Sequence, residues 1–253
     1  MPKQQSVSKF SNRSNRAVVA ALCLLSLFGA PVLAQPLGSA EGTAISCASL
    51  DDCMKKGQAA ETTDQALDYI SKGIDTWKEG DSQADLSLAT LIRGQVYLQY
   101  YTEVEDTRLL DLAERDFVRV TQLSPASYEG FAGLAMVAAN RGKFDETEEW
   151  FAKGFSVDPK DPYAYQERAA YYYARKNFAG VVKDLSTALA LIGPQRPATA
   201  STNSDPDDAD VSDKQRVMIH LLRAYAYMEL GKEIEARADL AEACRLGETR
   251  ACQ

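Results

Sequence analysis

The stretch YEGFAGLAMVAANRGKFDETEEWFAKGFSVDPKD, residues 128–161, runs without a gap into PYAYQERAAYYYARKNFAGVVKDLSTALALIGPQ, residues 162–195. The two segments match at a spacing of 34 residues. Phe131, Leu134, Ala135, Gly142, Phe144, Phe151, Gly154, Val157 and Pro159 fall opposite Tyr165, Arg168, Ala169, Lys176, Phe178, Leu185, Ala188, Leu191 and Gly193. Small residues and aromatics recur at the same places, and the apolar positions follow a helical period. Each segment reads as one helical hairpin.

A helical period combined with a 34-residue repeat resembles the tetratricopeptide repeat family. The resemblance implies an all-α fold, a right-handed solenoid of about five antiparallel helix hairpins, used for binding. Residues 47–193 hold repeats 1–4. Cys47 to Gly80 is a degenerate first copy, in which Leu50, Cys53 and Met54 share a helix face and Ser49-x-x-Asp52 caps its start. Its Ala66, Ile70 and Gly73 stand where Thr147, Phe151 and Gly154 stand in the third. Ser82 to Pro125 is the second, carrying Arg93-Gly94-x-x-Tyr97 and Ala113-x-x-x-Phe117. Its internal link is longer than the family pattern, and Thr102 to Asp106 is expected to form an enlarged turn. Residues 214–253 hold the fifth copy, with Arg223-Ala224-x-x-Tyr227, Leu230-Gly231, Ala236-x-x-x-Leu240, Ala243 and Leu246.

Three segments fall outside this rhythm. Residues 1–16 carry Lys3, Lys9, Arg13 and Arg16 and no acid, then Ala17 to Ala30 is apolar and Pro31-Val32-Leu33-Ala34 follows. That order is a secretory signal peptide over residues 1–34, cleaved after Ala34. The apolar run is too short for a stable membrane span, which takes about 20 residues. Leu22 before Cys23 is not the small residue a lipid-attachment site wants. Residues 35–46 are a short disordered lead. Residues 194–213, rich in Pro, Ser, Thr and Asp, are expected to be an acidic disordered loop. Within it, Asp205-x-Asp207-Asp208-x-Asp210 lacks the Gly and the closing Glu of a calcium loop, so a solvated acidic stretch is the better reading.

The net charge of −8, which becomes −12 without the leader's four cations, argues against nucleic acid as a partner. Four of the five cysteines form two close pairs, Cys47 with Cys53 and Cys244 with Cys252 in sequence. An even count in an exported chain favours disulfides. Metal is the alternative, but neither spacing is that of a zinc knuckle and there is one histidine. Spacing leaves the connectivity open. The final C-x7-C resembles the helix-to-helix staple of Sel1-like repeats, relatives of the same solenoid family. That resemblance implies a Cys244–Cys252 bridge on the last helix, and a Cys47–Cys53 bridge would do the same at the front.

A charge pattern follows the copies. Arg93, Arg168 and Arg223 precede the small residue of the first helix in repeats two, four and five. Asp116, Asp184 and Asp239 precede the apolar knob of the second helix in the same three. The third repeat has Leu134 and Trp150 in those places, and the first has Cys53 and Tyr69. Because Arg and Asp come and go together, each Arg is expected to reach its own repeat's Asp across the hairpin.

In the tetratricopeptide family the first helix of each repeat lines a concave face. The resemblance therefore selects Met136, then Tyr163, Gln166 and Tyr173, then Met218, Leu221, Tyr225 and Met228 as a groove for a protein or peptide partner. Tyrosine offers area with a polar tip and methionine adapts its shape. Plain core packing remains the alternative for such a stripe. The family's carboxylate clamp is not matched, since Gln95, Gly133, Tyr163 and Glu167 occupy its places. His220 stands at a helix-packing place equivalent to Phe131 and Tyr165, with no nucleophile at a defined spacing. No cofactor or metal is expected, and no enzymatic activity. The expectation is a periplasmic or secreted scaffold. The other reading is a structural assembly factor that uses convex or terminal faces.

Overall fold

The computed structural model describes residues 45–193 and 206–252, the side chains of 206–212 excepted. The expected leader, nearly all of the lead and residues 194–205 lie outside the described residues. A first compact unit, residues 45–159, contains α1 (Leu50–Gln58), α2 (Thr63–Thr76), α3 (Gln83–Val104), α4 (Arg108–Leu123), α5 (Glu129–Asn140) and α6 (Phe144–Val157). A second, residues 160–252, contains α7 (Pro162–Ala174), α8 (Phe178–Ile192), α9 (Pro206–Glu229), α10 (Glu233–Arg245) and a 3-10 turn at Thr249–Cys252. The fold is all-α. Consecutive helices pair as hairpins, and among the described residues there is no strand.

The helix starts follow local chemistry. Ser49, Thr62 and Ser82 each accept a hydrogen bond at 3.2 Å from the backbone N–H three residues on. That satisfies one of the donors left over in a first helical turn. Asp161 accepts from the Tyr163 N–H at 2.7 Å, with Pro162 in the first helical position where its missing donor costs nothing. No helix among the described residues is long and apolar enough to cross a membrane.

Two boundaries differ from the sequence expectation. The extra residues of the second repeat do not make an enlarged turn. They lengthen α3, which continues to Val104 and ends on Glu105 in the left-handed region at φ 57°. Residues 98–104 contain no Gly or Pro, and Tyr101 is buried, so the helix continues while it has a face to bury. Likewise α9 begins at Pro206, earlier than the expected start at Lys214, so the acidic loop of 194–213 does not extend through its last residues. Pro206-Asp207-Asp208 is a helix-start sequence, a proline followed by carboxylates that suit the positive end of a helix dipole.

The core of the first unit is organised on Phe117 of α4. The side chain is fully buried among Leu91, Leu110, Ala113, Leu134 and Val137. Its ring lies in a slot floored by Gly94 of α3 and Gly133 of α5. A Cβ at Gly94 would stand 2.9 Å from the ring, and one at Gly133 would stand closer still. Glycine inside a helix normally costs stability, so both positions exchange helix propensity for close approach. At the ends of the repeats, Cys47 and Cys53 have Cα atoms 5.2 Å apart, and Cys244 and Cys252 5.1 Å, both at disulfide distance.

Gly133→Ala should therefore destabilise the chain by about 1–3 kcal/mol in urea unfolding, against the ordinary gain from adding alanine to a helix. Trimming the ring with Phe117→Leu in the same chain should return part of that loss. A neutral Gly133→Ala would contradict the slot.

Candidate partner-binding face

The second unit places its exposed side chains by anchoring the opposite side of the same helices. Arg168 of α7 donates through Nε and Nη2 to the two carboxylate oxygens of Asp184 on α8, at 2.7 and 2.8 Å. Arg223 of α9 does the same to Asp239 of α10, at 2.8 and 2.6 Å. In the first unit Arg93 of α3 holds Asp116 of α4 at 2.8 and 2.7 Å. All three carboxylates are buried. In the third repeat, buried Leu134 and the half-buried Trp150 belong to one apolar cluster.

Two further partners of these pairs were not read from the sequence. Arg93 Nη1 also donates to Ser71 of α2 at 3.2 Å, and Arg223 Nη1 to Ser186 of α8 at 2.9 Å. Each contact crosses to the preceding hairpin. The signal was present, because Ser71 and Ser186 occupy equivalent positions, one past the apolar knob of their own repeats. His220 lies with Nδ1 2.8 Å from Asp239 Oδ1, so it belongs to the last ion pair rather than to apolar packing. Burial by itself would raise the Asp239 carboxyl, but hydrogen bonds from Arg223 and then His220 outweigh it and hold it below the usual carboxylate range. Arg223 is held above its ordinary value, chiefly by the same hydrogen bond to Asp239.

The other side of these helices is apolar and open. Tyr173 of α7, Phe178 of α8 and Tyr225 of α9 form a three-ring cluster with centroids 5.4, 6.1 and 6.2 Å apart. Tyr173 and Phe178 rest on the core around Val181, Leu185 and Ile219, which fixes their inner edges. Tyr173 and then Glu229, beside the Tyr225 hydroxyl, push its pKa up to about 12. Tyr225 is 39% exposed, Met218 36% and Met228 50%. Leu221, Tyr163 and Gln166 are half-buried, and Gln166 donates to the Pro162 carbonyl at 3.2 Å.

Met136, in the first unit, is not open in this way. It is 6% exposed, on a helix whose residues Ala132 to Ala138 are all buried. α5 packs between α4 and α6, with a smaller contact to α3, so it has little open side. Phe178, aligned in the sequence only as a repeat position, is the residue the groove reading missed. Among the described residues, no group of three His, Cys, Asp or Glu side chains could hold a metal ion.

No protein-family model matches this sequence, and no curated protein does. Solved structures do. The chain is similar to TTC0263, a thermophilic TPR protein in Thermus thermophilus, with TM-score 0.55 and 14% identity over 81% of this chain and 95% of that one. It is also similar to BtubC from P. vanneervenii, with TM-score 0.50 and 15% identity over 78% and 76% of the two chains. At these identities the likeness shows the fold, an all-α chain of tetratricopeptide-type hairpins.

Asp239 is held low in the folded chain, so its pairing adds stability above the unfolded carboxylate's value near pH 4. That contribution is lost as pH falls through the folded value. Asp239→Asn should destabilise the chain by about 3 kcal/mol at pH 7, because the half-buried Arg223 is left without its charge partner. The deficit against the parent chain should shrink below pH 4 in urea titrations. A deficit unchanged between pH 7 and pH 3 would remove the ion pair from the account.

Proposed function

We propose that this chain is an exported, non-enzymatic scaffold that holds a protein partner against the Tyr173, Phe178 and Tyr225 face. The observation that carries the reading is this ring cluster, anchored on the core side and open to solvent on the other, beside the exposed Met218 and Met228. Large apolar groups of this kind, with one polar tip, are the residues that concentrate binding energy at protein interfaces. Three supports come from elsewhere in the chain. The fold class is one of stacked hairpins, the first 34 residues have the order of charge, apolar core and small residue of a secretory leader, and both cysteine pairs sit at disulfide distance. Export to the periplasm or medium accounts for the last two together.

A second reading is a structural assembly factor that works through the end of its last hairpin. Leu230 and Ile234 favour it, since Ile234 is 82% exposed at the start of α10.

The test places a photo-crosslinking side chain at Tyr173, Ile234 or Lys232 in the exporting cell. The scaffold reading expects one protein captured at Tyr173 and not at Lys232. Capture at Ile234 with none at Tyr173 would move the function to the terminal face. Export itself predicts a mature chain beginning at Gln35 in the extracytoplasmic fraction, checked by N-terminal sequencing.

A further inference from the structure

We infer that the partner segment is a short amphipathic α-helix lying along α9, not an extended peptide; the inference rests on the scaffold reading above. Four of the exposed or half-buried side chains of the face, Met218, Leu221, Tyr225 and Met228, come from this single helix. Their spacing is i, i+3, i+7 and i+10, the heptad seam that one helix offers to another. At ~1.5 Å per residue the seam is about 15 Å long, which matches roughly three turns of a partner helix.

An extended peptide reads a different pattern. At ~3.3 Å per residue it takes side chains from successive hairpins, with alternate residues entering pockets. The third repeat's contribution to such a track would be Met136, and Met136 is buried. Within the second unit, three of the exposed large apolar side chains, Met218, Tyr225 and Met228, follow one another along α9. The side chains suit this use. The Tyr225 ring packs against Tyr173 and Phe178 and is 39% exposed, so it offers apolar surface. The flexible thioethers of Met218 and Met228 at either end adapt to a partner's side chains.

Two other occupants fit less well. A second copy of the chain needs about 800 Å² per partner for a stable dimer. With roughly 200 Å² on a large side chain, the fractions exposed on the seam and on Tyr173 supply only about 300–400 Å². That is the footprint of a short helix. The neighbouring segment of the same chain, residues 194–205, reads PQRPATASTNSD and has no large apolar side chain to fill a seam of Met, Leu and Tyr.

The chain carries its own reporters, since five methionines include two on the seam. The experiment labels methionine methyl groups with carbon-13 in the full chain and titrates two 15-residue probes by NMR. One is a hydrocarbon-stapled helix with Leu at heptad spacing and Gln elsewhere. The other has the same composition with Leu and Gln alternating. The stapled helix should shift the Met218 and Met228 methyls and leave Met54 and Met136 in place. Tyr225→Ala should weaken its apparent affinity tenfold or more, and Tyr225→Phe should keep it. Equal or tighter binding by the alternating peptide, at the same methionines, overturns the helical inference and leaves the scaffold reading standing. No shift of Met218 and Met228 with either probe also overturns the inference, while crosslinking at Tyr173 decides the scaffold reading separately.

Discussion

Three guanidinium–carboxylate forks, Arg93 with Asp116, Arg168 with Asp184 and Arg223 with Asp239, tie the first helix of a hairpin to the second. Each is largely withdrawn from water. Burying such a pair gains little net stability, because desolvation offsets most of the attraction. Sliding one helix by a residue would strand two charges, a cost that disfavours other registers of the hairpin. The first and third repeats dispense with the fork and carry apolar or aromatic residues instead, so the same register is held there by shape. Ser71 and Ser186 extend two of the forks to the preceding hairpin, which couples neighbouring repeats through one arginine each.

The forks also explain why a flat apolar face can stay exposed on α9. Arg223 and His220 project toward Asp239, while Met218, Leu221, Tyr225 and Met228 fall on the other side of the helix at its 3.6-residue period. The buried side of α9 is anchored by charge-assisted hydrogen bonds, which are short and directional. The open side is thereby presented on a helix whose buried side is fixed. Tyr173 and Phe178 are steadied in the same way, by the core beneath them. A face prepared in this manner loses little freedom when something docks on it.

Much of this was legible in the residues. The hairpins could be read because two gapless copies of 34 residues hold their small and aromatic positions in common. The partners of the three arginines could be read because Arg and Asp appear and vanish together among five internal copies. Local chemistry was legible too, as with the caps at Ser49 and Asp161. The places where the reading failed are instructive. Residues 102–106 looked like a turn by comparison with a family length, yet nothing in them stops a helix before Glu105. Residues 206–213 looked like loop because they are acidic, although acidic residues behind a proline also begin helices.

Periodicity is a property of one chain segment and its copies, so the sequence by itself determined the helix class, the hairpin repeat and the fork residues. Exposure is a property of what lies across from a residue, and only the tertiary structure decided it. Met136 and Met228 look alike as methionines on first helices, yet one is covered and the other is half open, because α5 is packed by α4, α6 and, to a lesser extent, α3. Phe178 and His220 entered the face and the fork for the same reason. Their partners come from other helices, at sequence separations that no local pattern records.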